Sequence, residues 1–589
     1  MAAFAFAVLG VVAGGAAASL LACATAFRNR SRQRQGSISS SRRTPGARTP
    51  PAGVSGRQPA LRPLYQEAFP VTVWILTRLL KPLFGFRQPA SYVLTRWLFL
   101  RLLGLVYLIA FVSLLTQISG LIGRRGIMPA EDFLDEVKSG TGRERYWHFP
   151  TLAWFNTGDA FLQSIAGAGA ALSLLVCLGA DWAPIMLVLW VLYLSLSTVS
   201  RDFLCFQWDA LLLETGFLSI FWAPWRVPAP PAARLPAPPV QSPPSLAVLW
   251  LLRWLIFRLM FSSGAVKLLS GDQAWRGLTA LNYHYETQPL PTPLAWYAAK
   301  LPERFQKFSV VMTFVIELGV PFLVFAPRPL RLTSAGILVW FQCLIAATGN
   351  YTFFNLLTIV LCVPLLDDNA ARRLVPASIT GRIMGSAQWR RGFRPGALVI
   401  LPLSAAIAFL TSTNMLLMFS RRRSLPRSLR RLLSWQAPLH IANSYGLFAV
   451  MTTQRPEIIV EGSMDGRTWR AYEFKHKPGN LKRPPTWVAP HQPRLDWQMW
   501  FAALSDYRSN PWFVNFVVRL LQGSQPVLSL LAYNPFPDEP PTYIRALLYD
   551  YHFTDWQTRK QTGHWWRRSL IGIYFPAASL WGDRISRSR

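Results

Sequence analysis

From about residue 92 to residue 418 the chain alternates long apolar runs with short polar connectors. A helix rises about 1.5 Å per residue, so roughly 20 apolar residues cross the hydrocarbon layer of a bilayer. On that criterion spans fall at residues 95–120, 161–180, 183–200, 244–266, 307–326, 331–348, 352–366 and 396–418, about eight in all. Backbone amides in hydrocarbon have no water to bond, so these segments are expected to be helices. The second and third meet at Asp181-Trp182-Ala183-Pro184, and the fourth follows a proline-rich loop from Pro228 to Pro244.

Beyond residue 436 the periodicity changes. Arg455 to Val460 reads as a short strand, and Asp465-Gly466 supplies a hairpin turn signal. Between Arg470 and Lys477, Tyr472, Phe474 and His476 alternate with Glu473, Lys475 and Lys477. Leu547, Tyr549, Tyr551 and Phe553 alternate in the same way with Leu548, Asp550 and His552. Between these strands Trp497, Trp500, Phe501 and Leu504 share one face at helical spacing. Asn510-Pro511 opens a second helix that Gly523 closes. The fold expected is a multi-pass α-helical membrane protein with a C-terminal soluble α+β domain built on a mainly antiparallel sheet. The divisions are a lead at 1–66, a membrane domain at 67–420, a basic linker at 421–435 and the soluble domain at 436–589.

Charge sharpens this picture. Of 589 residues 51% are hydrophobic and only 15% charged, so long stretches carry no solvated face. The formal charge of +33, from 61 basic and 28 acidic residues, would suit nucleic acid. Much of the excess instead flanks apolar runs, where it sets topology and meets lipid head groups; the bilayer is the partner expected, and nucleic acid is not. Residues 3–27 read either as a span or as a signal segment without a basic start, and Arg28 to Arg62 as a disordered lead. The basic load from Arg28 to Arg101 favours a cytosolic N-terminus, and the mixed loop 124–150 suits the opposite side. Arg421, Arg422, Arg423, Arg427, Arg430 and Arg431 pull the end of the last span back toward the cytosol.

Candidate chemistry is sparse. Cys23, Cys177, Cys205, Cys343 and Cys362 all lie in apolar stretches and offer neither a disulfide framework nor zinc spacing. No HExxH, GxSxG or P-loop occurs. The membrane-like stretch Phe203 to Trp225 holds Asp209 and Glu214, and the next holds Arg253 and Arg258, with Lys267 at its end. Charges at that depth face a partner or a cavity, so these four form a candidate intramembrane polar site. Pairing that fixes helix packing is favoured over catalysis, and Glu317 is read in the same way. His284 and Glu286 lie in an aromatic loop that suits the membrane interface. Trp469, Tyr472, Phe474, Trp497 and Trp500 are candidate client contacts, with core packing as the alternative. Asn29 and Asn350 stand in glycosylation sequons; Asn350 is the candidate, in a connector where two close spans crowd a glycan.

Several long strings together resemble the lipase maturation factor family. They are FQWDALLLETGFLSIF from Phe206, RWLIFRLMFSSGAVK from Arg253, the NYHYETQPLPTPLAW core ending at Trp296, GNYTFFNLLTI from Gly349, HIANSYG from His440, YEFKHKPG from Tyr472, RLDWQMWFAAL from Arg494 and AYNPFP from Ala532. The likeness runs from about residue 92 to 582 and leaves out the basic lead. It implies an endoplasmic reticulum membrane protein whose luminal parts assist the folding, assembly and secretion of dimeric lipases such as lipoprotein lipase. A luminal C-terminal domain is part of that implication, against the pull of the Arg421 to Arg431 cluster. The resemblance supplies no catalytic residues, and neither enzyme activity nor a cofactor is expected. The alternative is a polytopic enzyme acting on a lipid or a protein side chain, with Asp209, Glu214 and His284 lining one site. A transporter ranks last, because the sequence has no internal repeat.

Overall fold

The computed structural model describes residues 91–225, 244–385, 397–420, 425–581 and 584–587. The lead with its 3–27 segment, Cys23 and Asn29, most of the Pro228 to Pro244 loop, and Arg421, Arg422 and Arg423 lie outside the described residues.

The apolar runs fold as helices: α1 Val93–Leu115, α2 Asp159–Leu178, α3 Ala183–Ser200, α4 Gln207–Trp222, α5 Leu246–Leu269, α6 Glu303–Phe314, α7 Arg328–Thr348, α8 Phe354–Cys362 and α9 Ala397–Phe419. Local chemistry sets their ends. Pro184 occupies the first turn of α3, where its missing amide costs nothing, and Ser245 caps α5 through the Val248 amide. Seven described helices are long and apolar enough to cross a membrane. The run expected at 352–366 is a helix only from Phe354 to Leu365, counting its last 3₁₀ turn, and falls short on length. The run at 307–326 is irregular: α6 passes into a π turn at Val315–Gly319 and a 3₁₀ turn at Val320–Phe325. Pro321 lacks the amide that a regular ladder would need there.

The helices run alternately up and down between two ends. At one end the start of α1 meets the chain after α8, where Val93 and Thr95 amides bond Asp368. There too Arg328 pairs with Asp367 at the start of α7, and the Ala183 amide bonds Pro224 O. At the other end α1 finishes against the C-terminal domain, with Ser113 and Gln117 bonded to Gln492 O. α4 and α8 follow the same alternation despite their length, so the chain passes between the ends nine times from α1 to α9. Residues 91–93 and the C-terminal domain therefore sit at opposite ends of the bundle. Gly216 lets α4 approach α1 closely, since a Cβ there would collide with the Tyr107 hydroxyl.

After α9 a short amphipathic helix, α10 Arg427–Gln436, leads into the C-terminal domain. Its strands are β1 Pro456–Ser463, β2 Arg470–Ala471, β3 Glu473–Phe474, β4 Leu531–Tyr533, β5 Tyr543–Phe553, β6 Trp566–Trp581 and β7 Arg584–Arg587. The larger sheet is antiparallel in the order β2-β1-β5-β6-β7, and β3 pairs with β4 separately. Helices α11 Arg494–Ala503 and α12 Pro511–Leu521 pack between strands and bundle.

Two details depart from the alternation read in the sequence. The stretch from Arg470 splits at Tyr472 between the two sheets, and Lys477, expected on a solvated face, is buried against Glu457 with its ammonium on Ile458 O. On α11, Phe501 and Leu504 are 40% and 43% exposed while Arg494 and Asp496 are buried. The helix is turned so that Trp497 and Trp500 of the stripe are buried together with the charged Arg494 and Asp496. One continuous apolar core runs from Leu100, Tyr193 and Leu255 in the bundle to Ile458, Phe513 and Phe575 in the sheet region.

Candidate functional site

Asp209 sits in the first turn of α4 and Glu214 lies five residues on; neither side chain is exposed. Each is met by a different segment of the C-terminal domain. Arg494, the first residue of α11, grips Asp209 with both guanidinium nitrogens, at 2.7 Å and 2.8 Å. The same guanidinium donates to Phe203 O at 2.8 Å, and the Tyr193 hydroxyl donates to Asp209 at 2.5 Å. Burial alone would lower the Arg494 pKa; the Asp209 carboxylate outweighs it and holds the arginine above its ordinary value. A planar, two-pronged pair of this kind fixes distance and orientation together.

The second anchor is centred on Glu214. It pairs with Arg258 of α5 and accepts from the Asn443 amide at 3.1 Å, the Asn443 side chain at 3.1 Å and the Tyr445 hydroxyl at 2.8 Å. Arg258 in turn donates to Asn443 O at 3.0 Å. The segment 440–446 thus inserts between α4 and α5. A cavity of about 360 Å³ adjoins it, lined in part by Gln207, Arg258, Asn414 and Met418. Gln492 completes the seam by accepting from Trp208 Nε1 at 2.7 Å.

The candidate polar site of Asp209, Glu214, Arg253 and Arg258 therefore divides. Arg253 does not join the acids. It donates to Pro364 O at 3.0 Å and to the Tyr92 hydroxyl at 3.2 Å, toward the far end of the bundle. Glu317 is paired with Lys267 at 2.7 Å. His284 bonds the Tyr351 hydroxyl at 3.0 Å, and that hydroxyl bonds Gln288. Burial, then the nearby Lys267 charge, lowers the His284 pKa to about 4. Asp209 and Glu214 direct their oxygens to Arg494, Tyr193, Arg258, Asn443 and Tyr445, so His284 shares no bonded site with them. Among the described residues no group of three or more His, Cys, Asp or Glu side chains is placed to hold a metal ion.

The aromatic residues expected to face a client are mostly interior. Tyr472, Phe474, Trp497 and Trp500 are all buried; Trp497 packs edge-on against Trp208 at 4.8 Å and Trp500 donates to Thr287 O. The bundle and its connectors cover Trp497 and Trp500, while Tyr472 and Phe474 pack on Phe536 and Phe516 within the C-terminal domain. Trp469 alone of the five is partly exposed, with Arg545 over its ring at 4.2 Å.

Asn350, the candidate glycan acceptor, has both ends of its side chain engaged. Its amide nitrogen donates to Leu290 O, Pro291 O and Thr486 O, and its oxygen accepts from the Val488 and Ala489 amides. Only 2% of the residue is exposed, so this side chain ties the bundle's connector to the C-terminal domain. Electrophoretic mobility without glycosidase treatment is expected to be the same for the wild-type chain and for Thr352→Ala, which destroys the sequon but leaves Asn350 in place. A mobility difference removed by the enzyme would contradict this placement.

Sequence reasoning found the two acids and Arg258 but not Arg494, Asn443 or Tyr445. The signal was present, since HIANSYG and RLDWQMWFAAL lie among the strings that carry the resemblance. A family model described as the lipase maturation factor transmembrane domain matches residues 94–373, and one for the lipase maturation factor C-terminal domain matches residues 441–576. The chain is 41% identical over 597 residues to lipase maturation factor 2 of Homo sapiens, covering 83% of each chain. The chain belongs to the lipase maturation factor family. Lipase maturation factor 1 of Bos taurus is 35% identical over 522 residues, covering 84% of this chain and 90% of that protein. No solved structure matches. In this member of the family the two matched regions meet at the Asp209–Arg494 and Glu214–Asn443 contacts.

Proposed function

We propose that the protein is an endoplasmic reticulum membrane factor that assists maturation of secreted, dimeric lipases without a catalytic step of its own. The observation that carries this reading is identity of 35–41% over more than four fifths of the chain with proteins named lipase maturation factors. Geometry supports it: the polar groups buried at the seam are used on one another, which suits a rigid platform held at the membrane.

Orientation follows from charge. The bundle end that carries residues 91–93 continues in sequence from the lead, where Glu67 is the sole acid before Glu131. Arg328, Arg331, Arg372 and Arg373 belong to that end as well. The positive-inside rule places this end in the cytosol and the C-terminal domain in the lumen. The Arg427, Arg430 and Arg431 cluster then lies on the luminal side, on the exposed face of α10.

The test is rescue. Cells lacking their own factor are supplied with the full chain, and secreted lipase activity is measured at constant lipase synthesis. Restored activity is expected, with the C-terminal domain protected from protease in sealed microsomes. Unrestored activity from a chain that reaches the membrane would remove the reading.

A further inference from the structure

The free part of strand β6 offers a binding edge. β6 runs for 16 residues, yet β7 pairs only with Ala578 to Trp581. From Arg567 to Phe575 one edge is taken by β5, and among the described residues no other backbone hydrogen bond reaches this stretch. Leu570, Ile571 and Ile573 are 60%, 56% and 71% exposed there. Folded proteins normally blunt such an edge with charge, proline or brevity. Here the first proline is Pro576, beyond the apolar stretch.

Basic groups predominate at the start of this edge. Arg567 and Arg568 are exposed at its start, and Arg559 and Lys560 stand on the preceding helix Trp556–Thr562. Two acids lie nearby: Asp555 caps that helix through the Thr558 amide, and Asp550, on β5 opposite Ser569, is bonded to His552.

We propose that β6 takes up one extended, apolar segment flanked by acidic residues from an unassembled client, adding a strand to the sheet at Arg567 to Phe575. Main-chain hydrogen bonds would give tolerance of sequence, the exposed aliphatic side chains grip, and the four basic groups preference for acidic flanks. A second copy of the chain would bring the same basic strand, a poor electrostatic complement. The proposal rests on the maturation reading for the identity of the partner, but not for the existence of the edge.

The experiment uses the full chain in nanodiscs and fluorescent peptides of about ten residues, rich in Val and Ile and flanked by Asp or by Lys. The Asp-flanked peptide is expected to bind about tenfold tighter than the Lys-flanked one, a gap that shrinks in high salt. Ile571→Lys with Ile573→Lys is expected to weaken binding about tenfold, with unchanged elution and unfolding midpoint. If that variant misfolds, Arg567→Glu with Arg568→Glu serves instead, and should reverse the preference between the two peptides. Equal binding of both peptides overturns the proposal. So does a folded double-lysine variant that binds like the wild type, or a wild-type dimer that the substitutions dissociate while no peptide binds. In the rescue assay, a double-lysine variant that restores full lipase secretion overturns the edge as a client site and leaves the maturation reading intact. Failure of the wild-type chain to rescue removes the maturation reading, and the peptide titration still decides the edge.

Discussion

Alanine at position 209 is expected to destabilise the fold by about 3–5 kcal/mol, the usual cost of stripping one partner from a buried ion pair. Arg494 is about 1% exposed and would keep only Phe203 O and the Tyr193 hydroxyl as acceptors. Its charge has no route to water without lifting α11 away from α4. The effect should appear as a large fall in the heat-induced unfolding midpoint and in steady-state abundance. Replacing both partners at once, Asp209→Leu with Arg494→Met, should recover much of the loss, because an apolar pair carries no desolvation cost. If the double substitution is as damaging as the single one, the pair is not the anchor described. If Asp209→Ala is silent, the domains are held together by the apolar core alone.

Acidification is expected to weaken the same fold steadily between about pH 6.5 and pH 4. His284 and His491 both have pKa values lowered to about 4, first of all by burial. Lys267 adds to the effect at His284; His476, Arg494 and Lys475 add to it at His491. Their polar neighbours are the Tyr351 hydroxyl and the Ser113 hydroxyl, and no carboxylate bonds either ring. An unfolded histidine titrates near pH 6.5. In the interval the unfolded chain binds protons that the native state refuses, so stability is complete above pH 6.5 and falls as pH drops. Buried His284 contributes a slope of about 1.4 kcal/mol per pH unit, and the partly solvated His491 less. The unfolding midpoint should therefore drop along this interval in the wild type and drop less in His284→Gln with His491→Gln. Identical slopes in the two proteins would remove this account.

The bundle was largely legible because the bilayer leaves few options for long apolar runs. Seven of the spans drawn coincide with long helices. Length misled at 352–366, where Pro364 ends the regular helix early, and at Gln207–Trp222, where α4 passes between the bundle ends in 16 residues and no span was expected. The C-terminal domain was half legible. β1 is legible as a short apolar run because both of its faces are buried, and β5 as an alternating one because its two ends bury one face. β6 escaped notice because WRRSLIGIYF has no period of two, and the structure shows why: Arg567 to Ile571 are exposed on both faces, and the register with β5 shifts twice. At the seam the intramembrane acids announced themselves by being misplaced in an apolar run. Their partners did not, since an arginine at the start of α11 and an asparagine before a tyrosine look ordinary in a polar domain. Only contact across nearly 300 residues gives them meaning.

That separation bears on how the chain is made. Asp209 is synthesised 285 residues before Arg494, and Glu214 229 residues before Asn443. For the whole interval Asp209 has no cation from the C-terminal domain, and Glu214 has only Arg258 once α5 has entered the membrane. A nascent chain in this state shows the quality-control machinery an acidic helix that is not yet credible as a membrane segment. A premature stop before residue 494 makes that state permanent, so late truncations should behave as assembly defects of the membrane region rather than as the loss of a detachable C-terminal module.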